Sequence, residues 1–331
     1  GIYGLLTRLV AVMLPPMAIF FPMFTLLEDS GYLPRIAFNL DKYFKSCSAC
    51  GKQGLTMAMG FGCNTVGITG CRIIDSPRER LIAVLTNNFV PCNGRFPGMI
   101  AMVSVMFAGG GLLGGVMQTL VLTGVILMGI GLTFLTSKLL SKTLLRGEPS
   151  SFTLELPPYR RPQIGRVIIR SILDRTFFVL GRAAAAAAPA GLILWILSNT
   201  KAGGETLLVH ISGFLDPLGR LLGMDGTILM AFLLGLPANE IVLPIMLMGY
   251  LSQGNLDAAS GITGLTSILR QNGWTFQTAL CTLVFYLMHW PCLTACITIY
   301  RETRSLKWTV TAILLPTLFG SILCILLGVL L

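Results

Sequence analysis

Forty-two consecutive residues, 96–137, contain no Asp, Glu, Lys or Arg. A helix needs about 20 apolar residues to cross the hydrocarbon of a bilayer. This run is therefore long enough for two crossings, joined at the glycine cluster between Gly109 and Gly115. Similar charge-poor stretches recur at 9–27, 53–71, 183–200, 226–251, 271–300 and 308–331. Only 11% of the 331 residues are charged and 54% are hydrophobic, against about 25% charged in a soluble domain. The pattern excludes a soluble enzyme, a disordered chain and a disulfide-knotted secreted domain. It predicts an all-α polytopic membrane protein.

The net charge is +10. The basic residues fall between the apolar runs and form no patch interleaved with aromatics, so nucleic acid is not an expected partner. They read instead as cytoplasmic loop charges beside a lipid bilayer. Nine cysteines are present, an odd number, and several sit inside apolar runs, which argues for free thiols or soft metal ligands rather than a disulfide framework. The chain opens on Gly1, without Met, directly in an apolar segment, and is expected to be part of a longer or processed protein.

Three runs, 32–45, 164–182 and 207–222, are amphipathic and too polar to span, as interfacial helices are. Segment 138–182 carries nine basic and three acidic residues, and 301–307 carries three basic and one acidic, so both are expected on the cytoplasmic side. Segment 201–225, with two basic and three acidic residues, is expected outside. The chain must then cross an even number of times between Arg182 and Arg301, yet three apolar runs lie between them. One must enter and return. The run broken at Leu236-Pro-Ala-Asn-Glu240 is the candidate, because broken backbone at membrane depth is tolerated only where it lines a cavity or is buried in protein. The run 53–71, with five glycines, is a second re-entrant candidate. Each half then reads span, amphipathic helix, re-entrant break, broken span, span. With the sides assigned above the two repeats are inverted, the plan of many transporters.

Four constellations sit at the breaks. Gly60-Phe-Gly-Cys63-Asn64 lets a helix unwind and places a thiol there; its alternative is small-residue helix packing. In Phe89-Val-Pro91-Cys92-Asn93-Gly94-Arg95 the proline frees a carbonyl upstream, and Arg95 must be paired or face water. Pro237-Ala-Asn239-Glu240 holds the single acid between Asp225 and Asp257, a functional carboxylate or else a structural partner for Arg95. His289-Trp-Pro291-Cys292 adds a thiol and an imidazole; the histidine is as readily a satisfied core residue as a ligand. Cys47-Ser-Ala-Cys50 lacks a second ligand pair nearby and reads as two interfacial thiols. Thiolates, amides and a carboxylate together suit a borderline first-row divalent ion better than Na⁺, Mg²⁺ or Ca²⁺.

The stretches Leu26-Leu-Glu-Asp-Ser-Gly-Tyr32, Gly60-Phe-Gly-Cys-Asn64, Asp75-Ser-Pro-Arg-Glu-Arg80, Val90-Pro-Cys92, and Pro291-Cys292 with Arg301-Glu-Thr303 occur in an order that closely resembles the FeoB ferrous iron transporters. The resemblance covers essentially the whole chain as a membrane region with two Gate-type repeats. It implies Fe²⁺ uptake across the bacterial cytoplasmic (inner) membrane, with Fe²⁺ as transported substrate and no enzyme activity in this chain. It carries the iron path onto Cys63, Cys92 and Cys292. Asn64, Asn239 and Glu240 are expected as auxiliary oxygen ligands, although Asn239 stands where many family members have Lys. The resemblance also implies an N-terminal GTPase domain or separate GTPase subunit, and small Feo accessory proteins. No G-x-x-x-x-G-K-[ST] occurs here, so GTP and Mg²⁺ would act only through that domain. A homo-oligomer is compatible with the sequence.

The expected division is 1–137 as the first membrane repeat, 138–175 as a basic cytoplasmic connector and 176–331 as the second repeat. Two rival functions are a carrier of an organic solute such as a nucleoside and a non-transporting membrane assembly protein.

Overall fold

The computed structural model describes residues 2–47, 49–107, 111–145, 178–202, 205–251 and 261–330, together with Gly165 and Ile169. These residues are helical almost throughout. A two-residue antiparallel ladder, Lys201–Ala202 with Glu205–Thr206, is the only strand pairing among them.

The first half contains α1 (Ile2–Asp29), α2 (Tyr32–Ser46), α3 (Lys52–Gly62), α4 (Asn64–Gly70), α5 (Pro77–Thr86), α6 (Phe96–Met106) and α7 (Gly111–Lys142). The second contains α8 (Phe178–Asn199), α9 (Leu207–Leu221), α10 (Gly226–Leu234), α11 (Val242–Leu251), α12 (Gly261–Gln271), α13 (Phe276–Met288), α14 (Leu293–Thr303) and α15 (Leu306–Leu330). Helices α7 and α15, and α13 with α14 taken as one broken element, are long and apolar enough to cross a membrane. Their outward faces are strongly apolar: Leu112 is 92% exposed and Val329 82% exposed, as lipid contact requires.

The end signals are local. Gly31, at φ 77°, turns the chain between α1 and α2. Ser76 caps α5 ahead of Pro77, and Asp225 caps α10 by accepting from the Ile228 amide at 2.7 Å. Amphipathic α9 meets apolar α10 at 109°, the bend expected where a surface helix gives way to one entering the membrane.

The internal repeat is visible atom by atom. Asp41 on α2 accepts from the Gly51 amide at 2.9 Å, and Asp216 on α9 accepts from the Gly226 amide at 3.1 Å. Lys45 and Arg220 pair with those acids one helical turn on, both at 2.7 Å. A Cβ built on Gly51 would clash with the Ala37 carbonyl oxygen, and one on Gly226 with that of Ser212. Each pair of equivalent positions is 175 residues apart. The same spacing carries to the breaks. Cys63 (φ −156°, ψ 123°) separates α3 from α4, and Ala238 (φ −155°, ψ 125°) precedes the short turn Asn239–Ile241 that leads into α11. Helix α4 folds back on α3: Gly70 packs against Met59, and Gly67 against the Thr56 carbonyl. The expected re-entrant break in 53–71 is this hairpin.

Several boundaries differ from expectation. Run 96–137 yields one long helix, α7, but α6 has only 11 residues, too short to cross alone at 1.5 Å per residue. By the spacing of the two Pro-Cys motifs it corresponds to α14, the second half of the broken element α13–α14. Run 271–300 starts as a helix only at Phe276, because Gly273 (φ 78°) and the Thr275 cap separate it from α12, a helix the charge count did not reveal. Helix α7 continues to Lys142. Most of the expected connector, and of the amphipathic run 164–182, lies outside the described residues.

Substituting Ala at Gly51 or Gly226 is expected to destabilise the protein by a similar amount in each case, about 1–3 kcal/mol. Thermal unfolding of the two variants in detergent tests this; a large loss from one and none from the other would contradict the equivalence.

Candidate metal path at the broken helices

The two hairpin breaks and the two Pro-Cys breaks meet at one cavity of about 50 Å³, lined by Cys63, Asn64, Cys92, Asn239, Glu240 and Cys292 among others. All six residues singled out from the sequence are therefore brought together. Each arrives for a backbone reason. Cys63 is the extended residue at which α3 ends. Asn239 and Glu240 form the short turn between α10 and α11. Pro91 and Pro291 stop the preceding segments, which leaves Cys92 and Cys292 at their ends.

The strands of backbone are tied across the breaks. The Asn93 amide donates to the Gly62 carbonyl (3.3 Å), and the Leu293 amide to the Leu236 carbonyl (2.8 Å). Asn64 Nδ2 donates to Asn88 Oδ1 at 3.0 Å in the first half, and Asn239 Oδ1 lies 3.2 Å from His289 Nε2 in the second. Asn239 Nδ2 points at Cys92 Sγ, 3.8 Å away. Cys292 Sγ lies 3.1 Å from the Thr294 hydroxyl.

Arg95 is fully buried. Nη1 donates to the carbonyls of Asn88 (3.0 Å) and Leu287 (2.6 Å); Nη2 donates to Asn88 Oδ1 (3.2 Å) and the carbonyls of His289 (2.9 Å) and Trp290 (3.3 Å). Three of these five acceptors are carbonyls at and beyond the C-terminal end of α13, freed where Pro291 interrupts the helix. The alternative of an Arg95–Glu240 ion pair is not realised. Among the described residues the Glu240 carboxylate makes no ion pair; it faces its own backbone amide and lines the cavity. Gly94 faces it: any Cβ there would strike the Glu240 carboxylate.

His289 is buried, with Nδ1 2.9 Å from the Tyr286 carbonyl and Nε2 on Asn239, so both ring nitrogens are engaged and it supports the wall. Cys296 donates to the Pro291 carbonyl, and Cys47 and Cys50 lie away from the cavity. All nine thiols are free. Among the described residues no three His, Cys, Asp or Glu side chains stand close enough to hold one ion together; the thiols and the carboxylate are spread around the cavity. The sequence reading missed Thr65 and Thr294 as lining residues and Asn88 as a bridge. The polar pair Asn87-Asn88 inside an apolar stretch was the available signal for the last. Among the described residues Asn64 Oδ1 and Thr65 Oγ1 are buried without a partner, which leaves oxygen acceptors on offer in this wall.

A helical membrane protein made of two repeats, with paired breaks enclosing one polar cavity, is the Gate class. Residues 10–106 and 180–306 match the family described as "Nucleoside recognition" (Gate), and residues 122–174 match "Ferrous iron transport protein B C terminus". The chain belongs to the FeoB family, in its Gate-repeat membrane region. It is 30% identical over 326 residues to the Fe(2+) transporter FeoB of Staphylococcus aureus, covering 95% of this chain and 46% of that protein. It is 26% identical over 334 residues to the Methanocaldococcus jannaschii Fe(2+) transporter FeoB, covering 97% and 47%. A Porphyromonas gingivalis Fe(2+) transport protein A/Fe(2+) transporter FeoB fusion protein is 27% identical over 352 residues, covering 92% and 41%. The chain thus spans about half the length of the curated relatives it matches. No solved structure matches it.

Arg95→Met is expected to prevent a stable fold, since several stranded buried acceptors cost about 1–3 kcal/mol each. Arg95→Lys, with the charge but fewer donors, should fall between. Size-exclusion profiles of the purified variants decide; an Arg95→Met protein as monodisperse and heat-stable as wild type would refute the role.

Proposed function

We propose that this chain is the permease part of a ferrous iron uptake system in the bacterial cytoplasmic membrane, and that Fe²⁺ passes through the cavity at the breaks. The observation that carries the proposal is the convergence of Cys63, Cys92 and Cys292 with the carboxylate of Glu240 on one small cavity. Thiolate sulfur prefers a borderline ion over the abundant hard cations, and a carboxylate offsets the cost of stripping water from a dication. Asn64 and Asn239 supply amide oxygens at equivalent places. The cavity, about 50 Å³, suits an ion; pockets for drug-sized organic molecules are about 300–1,000 Å³. The names of the relatives support iron as cargo.

The basic segment 138–175 would connect the repeats on the cytoplasmic side, and the repeats would be inverted in the membrane. A GTPase domain or subunit, acting with GTP and Mg²⁺, would drive or regulate the path. The relative fused to an Fe(2+) transport protein A supports a small accessory protein as partner.

Anaerobic uptake of radioactive Fe²⁺ into proteoliposomes tests the path. Uptake is expected to fall to background in Cys63→Ser/Cys92→Ser/Cys292→Ser and to drop several-fold in Glu240→Gln, with both variants still monodisperse. Undiminished uptake in the triple variant would refute the thiol-lined route.

A further inference from the structure

The stretch 75–80 and the triplet Arg301-Glu302-Thr303 are not used by the cavity at the breaks, yet they meet. A second cavity, of about 250 Å³, is lined by Ile68, Cys71, Arg80, Trp308, Glu302 and Thr303 among others. Helices α4 and α14 lead to it from the first cavity and pack together along the way. Asn64, Ile68 and Cys71 follow one face of α4 and its extension at helical spacing, and Thr294, Thr298 and Glu302 follow one face of α14. Asn64 and Thr294 line the first cavity; Ile68, Cys71 and Glu302 line the second. Just beyond α4, Arg72 grips Glu302 bidentately, Nε to Oε2 at 2.9 Å and Nη2 to Oε1 at 2.7 Å.

We infer that the Arg72–Glu302 pair is the gate that closes the metal path on the side of the basic loops, and that the second cavity is the vestibule behind it. The inference rests on the metal-path reading above. Three observations carry it. First, the ion pairs Asp41–Lys45 and Asp216–Arg220 lie within one helix and Lys52–Asp75 within one repeat, whereas Arg72–Glu302 joins the two repeats. Second, the repeat spacing matches Arg72 with Leu247, and the Pro-Cys spacing matches Glu302 with Met102; both partners are buried in the main apolar core. One set of equivalent positions is thus apolar and buried, and the other carries an ion pair. Third, Arg72 is 69% exposed, so water and salt reach the pair and it can release readily. The vestibule is not a second metal site. Arg80 adds a positive charge to a wall whose carboxylate is already neutralised by Arg72, so a dication is passed on rather than held.

The test is site-resolved alkylation of Cys71 by a membrane-impermeant maleimide in inside-out vesicles carrying the chain, read by mass spectrometry. Glu302→Gln and Arg72→Glu are expected to raise the Cys71 rate about two- to fivefold, the factor that an exposed ion pair supports. The swap Arg72→Glu/Glu302→Arg should return it toward wild type, and high salt should raise the wild-type rate alone. Unchanged rates in both single variants, or a swap as reactive as the single variants, would overturn the gate. Cys281, buried between α13 and α15, reports general unfolding; if it reacts in a charge-reversed variant, the near-isosteric Glu302→Gln decides. Labelling needs no iron, so an intact labelling pattern without Fe²⁺ uptake would overturn the iron reading and leave the gate standing.

Discussion

A helix broken inside a membrane strands carbonyls that water cannot reach, and satisfying them is the constraint on which this structure depends. Arg95 meets it at the break after α13. Its planar guanidinium offers five donors in a fixed fork, and the two terminal nitrogens reach acceptors from both repeats. A lysine would bring the same charge with a smaller, unshaped set of donors. Because backbone and amide oxygens occupy Arg95, Glu240 forms no ion pair with it and lines the cavity beside Gly94. A buried guanidinium and a partly buried carboxyl group thus sit near one site without pairing.

The same scaffold device is built twice. An acid on the amphipathic helix holds a glycine amide at the start of the next helix, and that glycine permits the close approach. An extended residue before Asn then ends the inward run in each half. What differs is the chemistry displayed. Cys63 in the first repeat is matched by Ala238 in the second, and Thr65 by Glu240, whereas Cys92 and Cys292 match each other. The repeat therefore frames the cavity symmetrically, with one extra thiol on one side and the carboxylate on the other.

Much of this was legible in the chain. Charge-free runs marked the membrane helices, and Gly or Pro next to Cys and Asn marked the breaks, because both features follow from backbone chemistry acting over a few residues. All six expected lining residues proved to share one cavity. The partner of Arg95 was not legible: three of its acceptors are main-chain carbonyls nearly 200 residues away, and a carbonyl has no letter in a sequence. The Asp41–Gly51 link was hidden for the same reason. Helix α12 escaped because the charge-free run between Asp257 and Arg270 is too short to cross a membrane, and α6 looked longer than it is because its apolar run flows past the glycines into α7.

On the proposed reading, the spread of the thiols around the cavity is itself informative. Three thiolates and a carboxylate closing on one dication would bind it too tightly to let it go, and conduction needs binding weak enough to be left. Ligands that stand apart can be engaged a few at a time as α4 and α14 shift. The soft Cys92–Cys292 pair is common to both halves, and it is flanked by Cys63 on one repeat and Glu240 on the other. An ion exchanging partners across such a site never needs to shed all of its ligands at once. The step that remains is separation of the α4 and α14 ends, where the Arg72–Glu302 ion pair joins the two repeats beside the packing of Ile68 and Cys71 with Ile299.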